Sequence, residues 1–354
     1  MQNNFDFERV IDRRGGDSQK WNKYAGRDVL PLWVADMDFA APPAVVAALE
    51  RRVAHGIYGY AKPYPALIDA AIAYLQRRYG WRVPAEWLVW LPGLVTGLNA
   101  ACRAVEGGAL TATPIYPPFL SAPRLAGREL ALAPLALDGN AWEWDFARME
   151  AALTPQTRLL LLCSPHNPVG RAWRAEELAA LAEFAKRHDL IVCSDDIHCD
   201  LILDPGRPHI PIATLDDDMA RRTITLMAPS KTYNIPGLAC SLAIVPDAAL
   251  RGRFESVMRG IVPDVNVLGL AAAEAAFTGA DAWREALLET LRANRDRVEQ
   301  AVEKMPGISM THVEATYLAW IDARNLPTAR PAHFFEQAGV GLSEGADFGL
   351  PGWV

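Results

Sequence analysis

Three polar residues stand where short apolar runs stop. Lys231 follows Thr223-Ile-Thr-Leu-Met-Ala-Pro-Ser, Asn167 follows Arg158-Leu-Leu-Leu-Leu-Cys-Ser-Pro-His, and Asp195 closes Leu190-Ile-Val-Cys-Ser. A lysine delivered by the end of a buried strand is partly desolvated, which disfavours its charged form and leaves a nucleophilic amine. A lone lysine beside Ala228-Pro229 would read as a solvated loop residue. The acid and the amide in the same setting decide against that. An amine, a carboxylate and an amide on one rim can bind a carbonyl as a Schiff base, keep a nitrogen protonated and hydrogen-bond a hydroxyl.

The elements that must position these residues are short. Each apolar run reads as a buried strand. Arg174 to His188 reads as an amphipathic helix with Leu178, Leu181 and Phe184 inward, carrying the chain from the second run to the third. Strand, helix, strand is the grammar of a parallel sheet, and open α/β sheets bind ligands at the carboxyl ends of their strands. Lysine, acid and amide on that rim are what pyridoxal phosphate needs: a Schiff-base partner, an anion for the pyridine nitrogen and a donor for the ring hydroxyl. Ahead of them, Leu88 to Leu91 reads as a strand and Pro92-Gly-Leu-Val-Thr-Gly97 opens a helix to about Glu106. Gly93, Leu94 and Val95 there would present free backbone N–H groups to a phosphate. Each has a bland alternative: a helix cap for Asp195, a hydrogen-bonded core residue for His198, a turn for Tyr116.

Leu32-Trp-Val-Ala-Asp-Met-Asp-Phe39, His55-Gly-Ile-Tyr-Gly-Tyr60, Thr113-Pro-Ile-Tyr-Pro-Pro-Phe119, Ser164-Pro-His-Asn-Pro-Val-Gly170, Ser194-Asp-Asp-Ile-His198 and Ser230-Lys-Thr-Tyr-Asn-Ile-Pro-Gly237 occur in that order. In this combination the chain resembles the fold-type I pyridoxal-phosphate enzymes. Within the class I/II aminotransferase family it is most similar to the MalY/PatB-type cystathionine β-lyase (C–S lyase) branch. The resemblance implies an α/β fold. A large domain over 45–275 would carry a mostly parallel seven-stranded sheet flanked by helices. Residues 1–44 and 276–354 would form a smaller α+β domain.

It also implies roles. Lys231 would carry the cofactor and act as base, Asp195 would hold the ring nitrogen protonated, and Tyr116 would stack on the ring. Asn167, His198, Ser230 and the backbone of Gly93, Leu94 and Val95 would complete the cofactor site. Leu32–Phe39 would line the substrate pocket. Tyr60 would reach a neighbouring subunit's cofactor phosphate, which makes a homodimer the expected state. The implied reaction is β-elimination on a sulfur amino acid, giving thiol, pyruvate and ammonia, with homocysteine as the thiol from cystathionine. The same residues also serve aminotransferases, but those usually carry Gly-x-Arg after the lysine motif, and here Gly237-Leu238 precedes Ala239. A third reading is a cofactor-binding regulatory protein that acts through a protein partner. The resembled enzymes place a substrate-carboxylate arginine just after a segment like Phe348-Gly-Leu-Pro-Gly-Trp-Val354. The sequence ends at Val354, so it is expected to be a piece of a longer protein, with Arg324 and Arg330 on the surface.

Composition sets the outer bounds. A chain of 354 residues, half of them hydrophobic, suggests about two domains with a large core. The net charge of −7 argues against a nucleic-acid surface. Five scattered cysteines without a CxxC pair read as reduced thiols in a cytoplasmic protein. His198-Cys199 lacks a second cluster with zinc-like spacing, so no metal is expected. The N-terminus from Met1 to Arg9 mixes charges and does not read as a secretory signal. No uncharged apolar stretch reaches the ~18 residues of a membrane span. Val267 to Ala280 contains Glu274 and reads as a core helix.

The remaining expectations are simple. Residues up to about Gly26 wrap the surface, and Asp36 and Asp38 sit in a loop. A helix starts at Pro42-Pro43 with Val45, Val46 and Leu49 as its apolar positions. Ala66 to Tyr79 is a helix that buries Leu67, Ala71, Tyr74 and Leu75 and stops at Gly80. Ala109 to Thr113 and Cys240 to Val245 are strands. Residues 124 to 157 give a strand-like run and then turns. A long helix spans about Ala282 to Met305, Ile308–Met310 and Thr316–Ile321 are strands, and Pro331–Ala338 is a helix.

Overall fold

The structure, a computed structural model, describes residues 5–354; Met1–Asn4, the beginning of the charge-mixed stretch Met1–Arg9, lie outside the described residues. Seven strands form the central sheet: β1 (Leu88–Leu91), β2 (Gly108–Thr113), β3 (Leu130–Pro134), β4 (Thr157–Cys163), β5 (Ile191–Asp195), β6 (Thr223–Met227) and β7 (Ser241–Ile244). Their spatial order is β1-β7-β6-β5-β4-β2-β3. All lie parallel except β7, which runs antiparallel to β6 and β1.

The apolar runs are continuous because helices cover both faces of the sheet. Side chains alternate across it. Leu159 and Leu161 face a core with Leu98, Ala101 and Cys102 of the helix Leu94–Ala104. Leu160 and Leu162 face a second core with Leu178, Leu181 and Phe184 of the helix Ala175–Arg187. Gly97 sets how closely the first of these helices seats on the sheet. A Cβ there would lie 2.8 Å from a Leu226 methyl and 2.9 Å from a Leu91 methyl.

A further core joins Met37 and Val45 to Leu201, Tyr233, Trp283 and Leu287. It fastens the N-terminal arm and the helix Asp281–Val302 to the turn after β6. Here several expectations need correction. Thr316–Ile321 is not a strand; only Ile321–Asp322 pairs, antiparallel, with Ser309–Met310. The amides that a strand would spend on a ladder go elsewhere. That of Thr316 donates to the Leu201 carbonyl, that of Leu318 to the Thr316 hydroxyl and that of Ile321 to the Val354 carbonyl. Thr316 itself adopts φ 74°, a left-handed conformation costly for a β-branched residue.

The arm before Gly26 is not merely a surface wrap. It forms a short helix, Gln19–Asn22, whose Lys20 is buried. Val46 is substantially exposed while Val45 of the same helix, Pro43–Ala54, is fully buried. Past β3, the presumed turns of residues 124–157 contain a hairpin, Ala136–Asp138 with Ala141–Glu143, and a helix, Phe146–Ala152. Among the described residues, no helix is long and apolar enough to cross a membrane.

Candidate active site

A cavity of about 260 Å³ opens at the carboxyl ends of the parallel strands. Lys231, Asp195, Asn167, His198, Tyr116, Ser230, Gly93, Leu94 and Val95 all border it. Tyr60 does not: it stands fully exposed on the loop after Pro43–Ala54, away from its own chain's cavity. A larger groove of about 750 Å³ lies between that helix and Val267–Gly279, but it holds none of the three defining residues.

The electrostatics of the cavity follow from the burial of its polar groups. Burial lowers the Lys231 ammonium's affinity for its proton, against the pull of Asp36 and Asp195. The amine donates to the Ala35 carbonyl at 2.5 Å. Burial pushes the Asp195 carboxyl up to about 7, helped by the adjacent charge of Asp196 and opposed by the Ile197 N–H, 3.1 Å from Oδ1, and by Lys231. His198 is held down to about 3 by burial and then by the nearby Lys231. It is therefore neutral at physiological pH, with its ring edge-on to Tyr317 at 5.9 Å. Burial raises the Tyr116 phenol, so it stays protonated.

Two polar atoms in the cavity wall lack partners: Asn167 Oδ1 and His198 Nδ1. Buried polar groups are rarely left unpaired, so such atoms point to a ligand. An amide can present either its oxygen or its NH₂ to that ligand by a half-turn. A pyridine ring bearing an aldehyde, a hydroxyl and a phosphate fits this set. Lys231 suits the aldehyde, Asp195 the ring nitrogen and Asn167 with His198 the hydroxyl. The phosphate suits Ser230 and the first turn of Leu94–Ala104, where backbone N–H groups have no partner within the helix. Ala239 borders the cavity as well, so no arginine side chain enters from that position. Among the described residues, no group of His, Cys, Asp and Glu is arranged to hold a metal ion. Asp36 and Asp38 are instead charge partners of Arg13, and Lys20 donates to the carboxylate of Asp38 at 2.7 Å and to the Asp36 carbonyl at 2.8 Å.

The sequence reading passed over several residues that shape the site. Asn234 takes a left-handed conformation, φ 54°, and donates to the carbonyls of Met37 at 2.9 Å and Phe39 at 2.7 Å. This fixes the Val34–Phe39 segment over Lys231. An asparagine three residues past the lysine, a type that tolerates positive φ, was the available signal. Arg171 buries its guanidinium between Glu314, at 2.9 Å, and Glu177, at 2.8 Å, and also bonds the Trp142 carbonyl. It anchors the far side of the Asn167 turn through the His166–Arg171 bridge. Nothing in the local pattern named its partner 143 residues away. Arg324 and Arg330 are both exposed, as expected.

The model of the aminotransferase class I and II family matches residues 27–354. The chain belongs to that family. Within it, the chain is 38% identical over 326 residues to cystathionine β-lyase PatB of Bacillus subtilis, covering 89% of this chain and 84% of the relative. The crystal structure of OvoB superposes with a TM-score of 0.97 at 51% identity, over 99% of this chain and 93% of that one. Cystalysin of Treponema denticola, solved with pyridoxal 5′-phosphate, gives a TM-score of 0.93 at 30% identity, over 99% and 93%. The mostly parallel seven-stranded sheet is thus the family's fold, and the cavity at its strand ends is the place to look for the family's chemistry.

Proposed function

We propose that this chain is a pyridoxal-phosphate-dependent carbon–sulfur lyase that catalyses β-elimination on sulfur amino acids, releasing thiol, pyruvate and ammonia. One observation carries the reading. The Lys231 amine, the Asp195 carboxyl and the unpartnered Asn167 Oδ1 converge on one cavity at the strand ends. The likeness to PatB, a cystathionine β-lyase by name, selects the sulfur chemistry. The bound cofactor supplies an electron sink for the carbanion at the substrate α-carbon.

The chain's own groups do the rest. Lys231, eased towards its neutral form by burial, takes the α-proton onto Nζ. Asp195 keeps a negative charge against the ring nitrogen, and Tyr116 packs as the cavity's aromatic wall. The Cβ–S bond then breaks, the departing sulfur takes up the proton held on Lys231 Nζ and leaves as thiol, and the enamine tautomerises and adds water to give pyruvate and ammonia. Ala239 removes the arginine that aminotransferases place there, which disfavours the transferase reading.

On this reading 45–275 form the cofactor domain, and 1–44 with 276–354 form the smaller one. The protein works in the cytoplasm, where its five buried cysteines stay as free thiols. It is a homodimer in which the exposed Tyr60 reaches the partner's cofactor phosphate. The deciding experiment adds cystathionine to the purified protein and measures pyruvate without any keto acid. Pyruvate release supports the lyase. Amino transfer only with added keto acid means an aminotransferase, and a yellow protein doing neither means a binding role.

A further inference from the structure

Behind the cavity lies a set of buried polar groups that the reaction does not use. Asp200 is buried in the loop after β5. Its Oδ1 accepts from the Tyr79 hydroxyl at 2.7 Å and from Arg78 Nε at 3.1 Å, and its Oδ2 accepts from the Tyr74 hydroxyl. All three donors come from the last two turns of the helix Pro65–Tyr79. The Tyr74 hydroxyl lies 3.1 Å from that of Tyr233, which is fully buried two residues after Lys231.

The direction of this chain follows from the groups themselves. A carboxylate only accepts, so Tyr74 donates to Asp200, and Tyr233 must donate to the Tyr74 oxygen. Both ends are stiff. Asp200 is tied to the strand end bearing Asp195 and His198 by Cys199 N–H to Asp196 O, 3.0 Å, and Leu201 N–H to His198 O, 2.9 Å. Tyr233 sits in a turn closed by its own N–H to Pro229 O and by Ile235 N–H to Ser230 O, both 2.9 Å. A phenylalanine would fill the space of Tyr233 equally well; the hydroxyl is there to connect.

We propose that Tyr74 and Tyr233 are positioning residues for Lys231: the hydroxyl chain from Asp200 sets the turn that presents the Lys231 amine to the acid and imidazole of the preceding strand end. The inference rests on the pyridoxal-phosphate reading and adds the device that aims its lysine. The contact of Lys231 with Ala35 holds the amine from the front, and the Asp200 chain holds its turn from behind.

The test uses the full chain, freed of cofactor and mixed with either pyridoxal phosphate or pyridoxamine phosphate, which has no aldehyde for Lys231 to capture. In Tyr233→Phe, covalent capture of pyridoxal phosphate, followed by absorbance, slows by about tenfold, as expected for one lost hydrogen bond in the turn that carries the amine. Pyridoxamine phosphate affinity stays at the wild-type value. Tyr74→Phe gives the same split, and the double variant is no slower than either single one, because both cut the same chain. Wild-type capture rates in Tyr233→Phe, equal losses for both ligands, or additive effects overturn the proposal. If Tyr74→Phe does not fold, Tyr233→Phe decides alone, since it leaves Asp200 with all its partners. A wild-type chain that captures nothing overturns the cofactor reading as well; normal capture in both wild type and Tyr233→Phe overturns only the role of the hydroxyl chain.

Discussion

Asp195→Asn is expected to make the cofactor-free protein more stable and the enzyme nearly inactive. In the empty cavity the carboxyl is held at about 7 instead of its ordinary 3.8, chiefly by burial. The native state is then the better proton binder. Its advantage is complete below pH 3.8 and is lost as the pH climbs through about 7. At about 1.4 kcal/mol for each tenfold change in proton affinity, the charged carboxylate costs the native state about 4 kcal/mol at pH 8 and about 1.5 kcal/mol at pH 5. An asparagine keeps the acceptor for the Ile197 N–H and escapes that charge. His198 and His166, both held neutral by burial, give the opposite slope, losing stability as the pH falls through about 3 and about 4. They do so in both proteins and cancel in the difference. The assay is urea unfolding of both cofactor-free chains from pH 5 to pH 8. The gap should widen by about 2–3 kcal/mol with rising pH, while the variant with cofactor loses most of its turnover. A pH-independent gap, or a variant less stable than wild type at pH 8, refutes the picture of Asp195 as a desolvated carboxylate kept for function.

Other outcomes follow from the same contacts. Borohydride reduction of the loaded protein should fix cofactor covalently to the wild-type chain and not to Lys231→Ala; attachment in the variant would mean another amine is used. Arg171→Met should destabilise the chain by about 1–3 kcal/mol, because Glu314 and Glu177 each lose a buried partner while Arg207 and Arg174 still pair with them. Arg324→Ala, at the exposed pair with Asp322, should cost only about 0–1 kcal/mol in the same urea titration. Light scattering should give twice the 38.8 kDa of one chain, with weaker cofactor affinity in Tyr60→Phe. A fully active monomer contradicts that arrangement.

The legible part of this molecule is its sheet. Leu159–Leu162 and Thr223–Met227 are buried at every position because both faces are covered, and a largely apolar run of that kind ended by a polar residue shows the rim directly. Lys231, Asp195 and Asn167 are therefore legible on one edge from the sequence alone. The illegible part depends on pairings over long stretches of chain. Thr316–Ile321 has strand-like composition, but its amides go to Leu201, to the Thr316 hydroxyl and to Val354, which no local pattern reveals. Lys20 looks like a solvated residue of a polar arm until Asp36 and Asp38 close on it. Asn234 carries a weak signal in its type alone, and Tyr74 reads as one more buried aromatic of a helix stripe although its hydroxyl faces Asp200.

The clasp of the N-terminal arm over the lysine also bears on the order in which the protein is made. Ala35 is synthesised 196 residues before Lys231, and Met37 197 residues before Asn234. Such contacts form only after the intervening sheet has closed, and closure over long separations is slow. A nascent chain that has folded its early strands therefore still lacks a finished cofactor pocket. Uptake of the cofactor, visible as colour, therefore reports that the arm has closed on the strand ends and provides a natural clock for that step.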